Sequence, residues 1–243
     1  MPRSISSLLR AVVVVPVRGA RVIEFIFRRR DAAGDIFPSD ASSGEVDGCD
    51  ADRVLFVGEP GELTLGVRTH ELSLPAFYAR HRAATTGRGV SWFIAPVTSS
   101  SVRGATATVI KQGEKLASYD QVVLLLGISD ALRVISPSAW EKALQGTLEV
   151  LLEGLPRGGQ ILIGEIPPLD NAGSLSAPAR MAAGLHGRLL NARTRDVAQC
   201  YSAVTVVNFP KELTRSVWRP ESEGNRYRHT YKVWGAHLAD HMK

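Results

Sequence analysis

At 243 residues, with 44% hydrophobic and 22% charged side chains, the chain has the composition of one ordinary soluble domain able to bury a real core. Two cysteines, Cys49 and Cys200, exclude a disulfide scaffold and a cysteine-ligated zinc site, and make a reduced, cytoplasmic protein the expectation. The net charge of +5 does not point to nucleic acid, because the basic residues are not gathered with aromatics on a recognisable motif.

The charge is unevenly placed. Residues 1–30 carry seven arginines against Glu24, interleaved with short apolar runs at 11–15 and 25–27. Arg10, Pro16, Arg18 and Arg21 interrupt these runs, so the pattern fits neither an export signal nor a spanning helix. It reads as a basic amphipathic segment for the anionic inner membrane face, or as an arm packed on the domain with its arginines in water. Residues 31–52 hold seven acids and no base, with Gly, Ser and Pro throughout. Such a stretch buries too little apolar surface to order itself, so 31–51 is expected to be an acidic flexible linker leading to a domain at 52–243.

From there strands alternate with helices. A strand at 53–57 precedes a helix around 72–82, and a second strand spans 90–95. A polar loop at 98–101 follows. Residues 121–126 form the cleanest buried strand, since their apolar run shows no polar alternation, and it stops at Gly127. A helix from about Ser138 sets Trp140, Leu144, Leu148 and Leu151 on one face, with Ser136-Pro137 as its start signal. A fourth strand at 161–163 is stopped by Pro167-Pro168. Residues 178–199 are helical, 203–207 make a fifth strand, and 231–241 close the chain as a helix with Val233, Trp234, His237 and Leu238 on one side. Five apolar strands separated by helices predict an α/β fold with a doubly wound, five-stranded parallel sheet.

In open sheets of this kind chemistry gathers beyond the strand ends, which directs attention to the turn Gly58-Glu59-Pro60-Gly61 after the first strand. It carries no nucleophile. Its glycines have the wrong offsets for a dinucleotide or nucleoside-triphosphate loop, and no cofactor is implied. His237 and His241 share a helical face but have no third ligand nearby in sequence, so no metal site is expected.

Three blocks of sequence resemble the SGNH (GDSL-type) hydrolase superfamily, with an arginine-rich start similar to some actinobacterial members. Gly58, Glu59, Gly66 and Val67 match the family's first block, with Pro60 where its nucleophilic serine stands. Residues 124–132 match the Gly-x-Asn-Asp block, with Ser129 in place of the asparagine and Asp130 retained. Residues 231–239 match the closing aromatic-x-x-Trp helix, and counting back puts Ser222 at the family's aspartate and Asn225 at its histidine. Gly104 looks like the glycine whose N–H helps bind the oxyanion. The resemblance implies a three-layer, flavodoxin-like α/β/α domain over residues 50–240, and an ester hydrolase stripped of nucleophile, base and base-orienting group.

The leading expectation is therefore a catalytically degenerate hydrolase that keeps its crevice for an acylated small molecule or for pairing with an active paralogue. The crevice would be lined by Glu59, Gly104, Ser129, Asp130 and His229. An alternative is a relocated site, with a serine of the 99–101 loop, Ser101 foremost, as nucleophile and His229 as base, or with Glu59 or Asp130 as base in an acyl transfer. A third reading is a membrane-peripheral scaffold led by residues 1–30.

Overall fold

The computed structural model describes residues 36–97, 99, 101–173, 175–218 and 227–242. Its sheet has six strands: β1 (Ser43–Val46), β2 (Cys49–Gly58), β3 (Arg88–Pro96), β4 (Gln121–Leu125), β5 (Gln160–Gly164) and β6 (Val204–Val207). They lie side by side in the order β1-β3-β2-β4-β5-β6. The five strands read from the sequence are all parallel, while β1 runs antiparallel to β3 along the edge.

The helices are α1 (Pro60–Leu63), α2 (Leu74–Thr86), α3 (Val102–Ile110), α4 (Ile128–Arg133), α5 (Pro137–Gly154), α6 (Ala177–Ala198) and α7 (Arg228–Asp240). They cover both sheet faces, which is why the central strands read as unbroken apolar runs. On one face Leu55, Val57, Val122, Leu124, Ile161 and Ile163 pack under α3, α5 and α6; on the other Val54, Phe56, Val123, Leu125 and Leu162 pack under α2 and α7. Within β4, Val122, Val123 and Leu124 are fully buried, each worth about 1.5–3 kcal/mol relative to exposure.

The acidic stretch departs from its expected linker character over its described residues. Ser43–Val46 pairs with residues 90–93 of β3, and Gly44 lies against the indole of Trp92, where a Cβ would overlap the ring. Asp40 accepts hydrogen bonds from His70, from its backbone N–H at 3.1 Å and its Nδ1 at 2.8 Å. Gly66 N–H donates to Ile36 O at 2.8 Å. The ordered domain therefore begins before residue 52, and its backbone hydrogen bonds override a composition that favours solvent. Residues 1–35, with the arginine-rich segment, lie outside the described residues. No helix among the described residues is long and apolar enough to cross a membrane.

The chain leaves β2 toward β3 on one side and returns to β4 on the other, so the direction of winding reverses between β2 and β4. Gly58 and Leu125 sit opposite each other at that reversal. A crevice opens beyond strand ends at such a point.

Candidate functional site

Two turns meet at the reversal, Gly58-Glu59-Pro60 after β2 and Gly127-Ile128-Ser129-Asp130 after β4. Their backbones approach so closely that a Cβ on Gly58 would lie 2.6 Å from Leu125 O, and Glu59 N–H donates to that same carbonyl at 3.2 Å. Gly127 turns through φ +116°, a conformation that non-glycine residues rarely adopt, and this aims the first amides of α4 back at the β2 turn.

Those amides meet two buried glutamates. Glu59 Oε1 accepts from Gly127 N–H and Ser129 N–H, each at 3.3 Å, and Glu62 Oε1 accepts from Ile128 N–H at 3.4 Å. Carboxylates at the start of a helix answer its unpaired N–H groups and its positive dipole end. The Ser129 hydroxyl donates to Glu59 Oε2. Ser129 thus points inward instead of offering a donor to the crevice, and Glu59 has both oxygens engaged.

Pro60 occupies the first position of α1, where its fixed φ suits a helix start and its missing N–H costs nothing structurally. The resemblance to the SGNH family expects a nucleophile and an oxyanion-binding N–H at this position. Proline supplies neither.

Gly104 does not match its expected role. It lies inside α3, its N–H donates to Ser101 O at 2.9 Å, and a Cβ there would overlap the Ser99 side chain. Its lack of a side chain makes room for Ser99, and its amide is spent at the start of the helix.

Ser101 and His229 are likewise kept apart. Ser101 is the N-cap of α3 in one helical layer, whereas His229 is exposed in the first turn of α7 in the other. Ser101 pairs instead with Asp130: its Oγ donates to Asp130 Oδ1 at 2.9 Å, while Val102 N–H donates to Asp130 Oδ2 at 2.7 Å. Asp130 is fully buried, and that burial pushes its carboxyl up from 3.8 to about 6. The hydrogen bonds from Val102 and Ser101 and the charge of Arg133 oppose the rise, and the Glu59 charge adds to it.

Two spaces flank these turns. A cleft of about 380 Å³ lies beside the Ser101–Asp130 pair and is lined by Ser101, Arg103, Arg133, Val134, Ile135 and Ser136. On the opposite side a cavity of about 10 Å³ lies among residues that include Glu62, Trp218, Tyr227 and Trp234. The indole N–H of Trp234 is buried without a partner among the described residues. Trp218 and Tyr227 bracket residues 219–226, so Ser222 and Asn225 lie outside the described residues. Among the described residues no three His, Cys, Asp or Glu side chains are grouped to hold a metal.

The signals missed in the sequence were Glu62 and the pair Arg103 and Arg133. Glu62 could have been found from its spacing, three residues after Glu59 across a helix start. The arginines belong to separate crossovers and share no local pattern.

No family model matches this sequence, and no curated protein matches it either. Solved structures do match. The crystal structure of TesA superposes with a TM-score of 0.56 at 17% identity, covering 75% of this chain and 94% of that one. The lipase/acylhydrolase from Enterococcus faecalis also gives 0.56, at 15% identity over 78% of this chain and 94% of its own. The psychrotrophic esterase EstA from Pseudoalteromonas sp. gives 0.55 at 12% identity, over 78% and 97% of the two chains. At these identities the likeness establishes the fold.

Proposed function

We propose that this chain, which has the SGNH (GDSL-type) hydrolase fold, is a catalytically degenerate member of that architecture that uses the crevice between β2 and β4 for binding rather than for ester hydrolysis. The observation that carries the reading is Pro60 at the first turn of α1. A serine esterase needs an activated hydroxyl and preorganised donors for the oxyanion, and a proline at the nucleophile position removes a hydroxyl and an N–H together. The inward Ser129 hydroxyl removes a further donor. Members of a triad act as a unit, so losing the nucleophile alone forfeits most of the rate enhancement.

The bound partner in this reading is an acylated small molecule, or an active paralogue that the retained frame resembles. The arginine-rich residues 1–30 would bring the protein to an anionic membrane surface on its cytoplasmic side. Co-sedimentation with anionic vesicles that survives deletion of residues 1–30 would overturn that last element.

The decisive experiment compares hydrolysis of p-nitrophenyl butyrate by the natural chain and by a variant carrying Pro60→Ser, Ser129→Asn, Ser222→Asp and Asn225→His. Turnover by the restored variant alone supports the reading. One observation favours a second reading, an active esterase or acyltransferase with a relocated centre: Ser101 Oγ donates to a carboxylate whose raised pKa suits a base, beside an open cleft. Turnover by the natural chain that disappears in Ser101→Ala would put that reading in place of the first.

A further inference from the structure

The end of α7 brings two imidazoles together. His237 and His241 stand four residues apart, about one helical turn, and their ring centres lie 4.6 Å from each other with the planes inclined at 58°. His237 is half-buried and His241 is exposed.

Each ring is held by one of its nitrogens. His237 Nε2 donates to Asn208 O at 2.9 Å, and His241 Nδ1 donates to His237 O at 2.8 Å. A carbonyl oxygen only accepts, so in the neutral ring the nitrogen facing it is the one that carries the proton. The tautomers are thereby fixed, and His237 Nδ1 and His241 Nε2 keep their lone pairs. Neither of these nitrogens is engaged by another group among the described residues. Metal-ligating histidines adopt this arrangement, with the far N–H tied to a backbone carbonyl that orients the ring and makes the free nitrogen more basic.

The spacing agrees with a shared ion. Two imidazoles on one metal, with bonds of about 2.0–2.1 Å, hold their ring centres roughly 4.5–5.2 Å apart for ligand angles from square to tetrahedral. The separation of 4.6 Å falls at the square end of that range, which suits Ni(II) and Cu(II). The surrounding charge does not oppose a cation. The carbonyl end of α7 lies here, with His241 as its C-cap, and carries the partial negative charge of the helix. Asp240, beside His241, pairs with His81, and Arg82, which reaches Met242 O, is paired with Asp52.

We propose that His237 and His241 form a two-histidine site for one divalent ion that favours imidazole, Ni(II), Cu(II) or Zn(II). Among the described residues no group of three His, Cys, Asp or Glu forms, so water completes the coordination. The ion would fix the end of α7, where His237 is already tied to Asn208 just after β6. This site is separate from the crevice, whose small flanking cavity α7 lines nearer its other end with Thr230 and Tyr231.

Calorimetric titration of the full chain with Ni(II) and Zn(II), and with Mg(II) as a control ion that prefers oxygen ligands, tests the proposal. One Ni(II) or Zn(II) per chain is expected to bind, and no Mg(II). His237→Gln and His241→Gln should each weaken binding by about tenfold or more, since either leaves a single imidazole. Cys49→Ser with Cys200→Ser should leave binding unchanged, which separates the site from the two exposed thiols. Thermal unfolding followed by circular dichroism gives a second readout: a saturating ion should raise the midpoint of the natural chain and not that of either histidine variant. The metal-free midpoints of the variants verify that they fold. Failure of both ions to bind, undiminished binding in either histidine variant, loss of binding in the serine variant, or equal binding of Mg(II) would overturn the inference.

Discussion

Replacing Asp130 by asparagine isolates the cost of a charge at the head of the crevice. Asparagine keeps the shape and both hydrogen bonds: its Oδ1 accepts from Val102 N–H and its amide donates to Ser101 Oγ, which can rotate to accept. Only the titratable charge is lost. The folded-state pKa of Asp130 is raised, so the stability it contributes is fully present below 3.8 and is lost as pH rises through about 6. A rise of about two units is worth about 3 kcal/mol in full, of which about 2 kcal/mol falls between pH 4.5 and 7.5. Urea unfolding followed by tryptophan fluorescence should therefore show the Asp130→Asn protein gaining about 2 kcal/mol on the natural chain between those pH values. A difference that stays flat with pH would refute the burial argument. A variant losing more than ~2 kcal/mol at pH 7.5 would show instead that the Ser101 and Val102 contacts depend on the charge.

Two further expectations concern the parts that hold the site in place. Asn191 accepts from Ile166 N–H at 2.9 Å and donates to Ile166 O at 3.1 Å, so Asn191→Ala should leave both groups unpaired and cost about 2–4 kcal/mol by the same urea assay; a loss below ~1 kcal/mol would mean that water replaces the amide. Burial alone would raise the Asp40 carboxyl, but the His70 N–H and imidazole outweigh it and hold the pKa below 3.8. Its contribution is present above that value and lost as pH falls, so Asp40→Asn should lower the urea midpoint at neutral pH by less than ~1 kcal/mol in stability, and the gap should close in acid. An effect that grows in acid would contradict this.

Where the sequence was readable, burial made it so. Residues 122–125 sit between two helical layers, where a polar side chain needs a buried partner, as Gln121 has in the Tyr78 hydroxyl, so the apolar run stands out without any partner in view. The helix from Pro137 announces itself through Ser136 as its cap and through the spacing of Trp140, Leu144, Leu148 and Leu151. The edge strand was hidden for the opposite reason. Ser43–Val46 is half exposed, and backbone pairing with β3 does the work that apolar side chains do elsewhere. Gly104 matches the oxyanion glycine by its neighbours alone, and the helix that begins at Val102 encloses it. That its amide is already used becomes visible only with the hydrogen bond from its N–H to Ser101 O. The pairing of Ser101 with Asp130 joins residues 29 positions apart through the sheet winding, which no local pattern encodes.

The hydrogen bond from Gly66 to Ile36 has a consequence for reach. Leu65, the residue before Gly66, accepts from the Tyr231 hydroxyl at 3.0 Å, and Tyr231 lines the small cavity beside the crevice. The chain therefore joins the domain at the crevice end of the sheet, only six residues after Arg30. Six peptide links span about 20 Å at full extension. Whatever the arginines at 28–30 would meet lies within about 20 Å of Ile36.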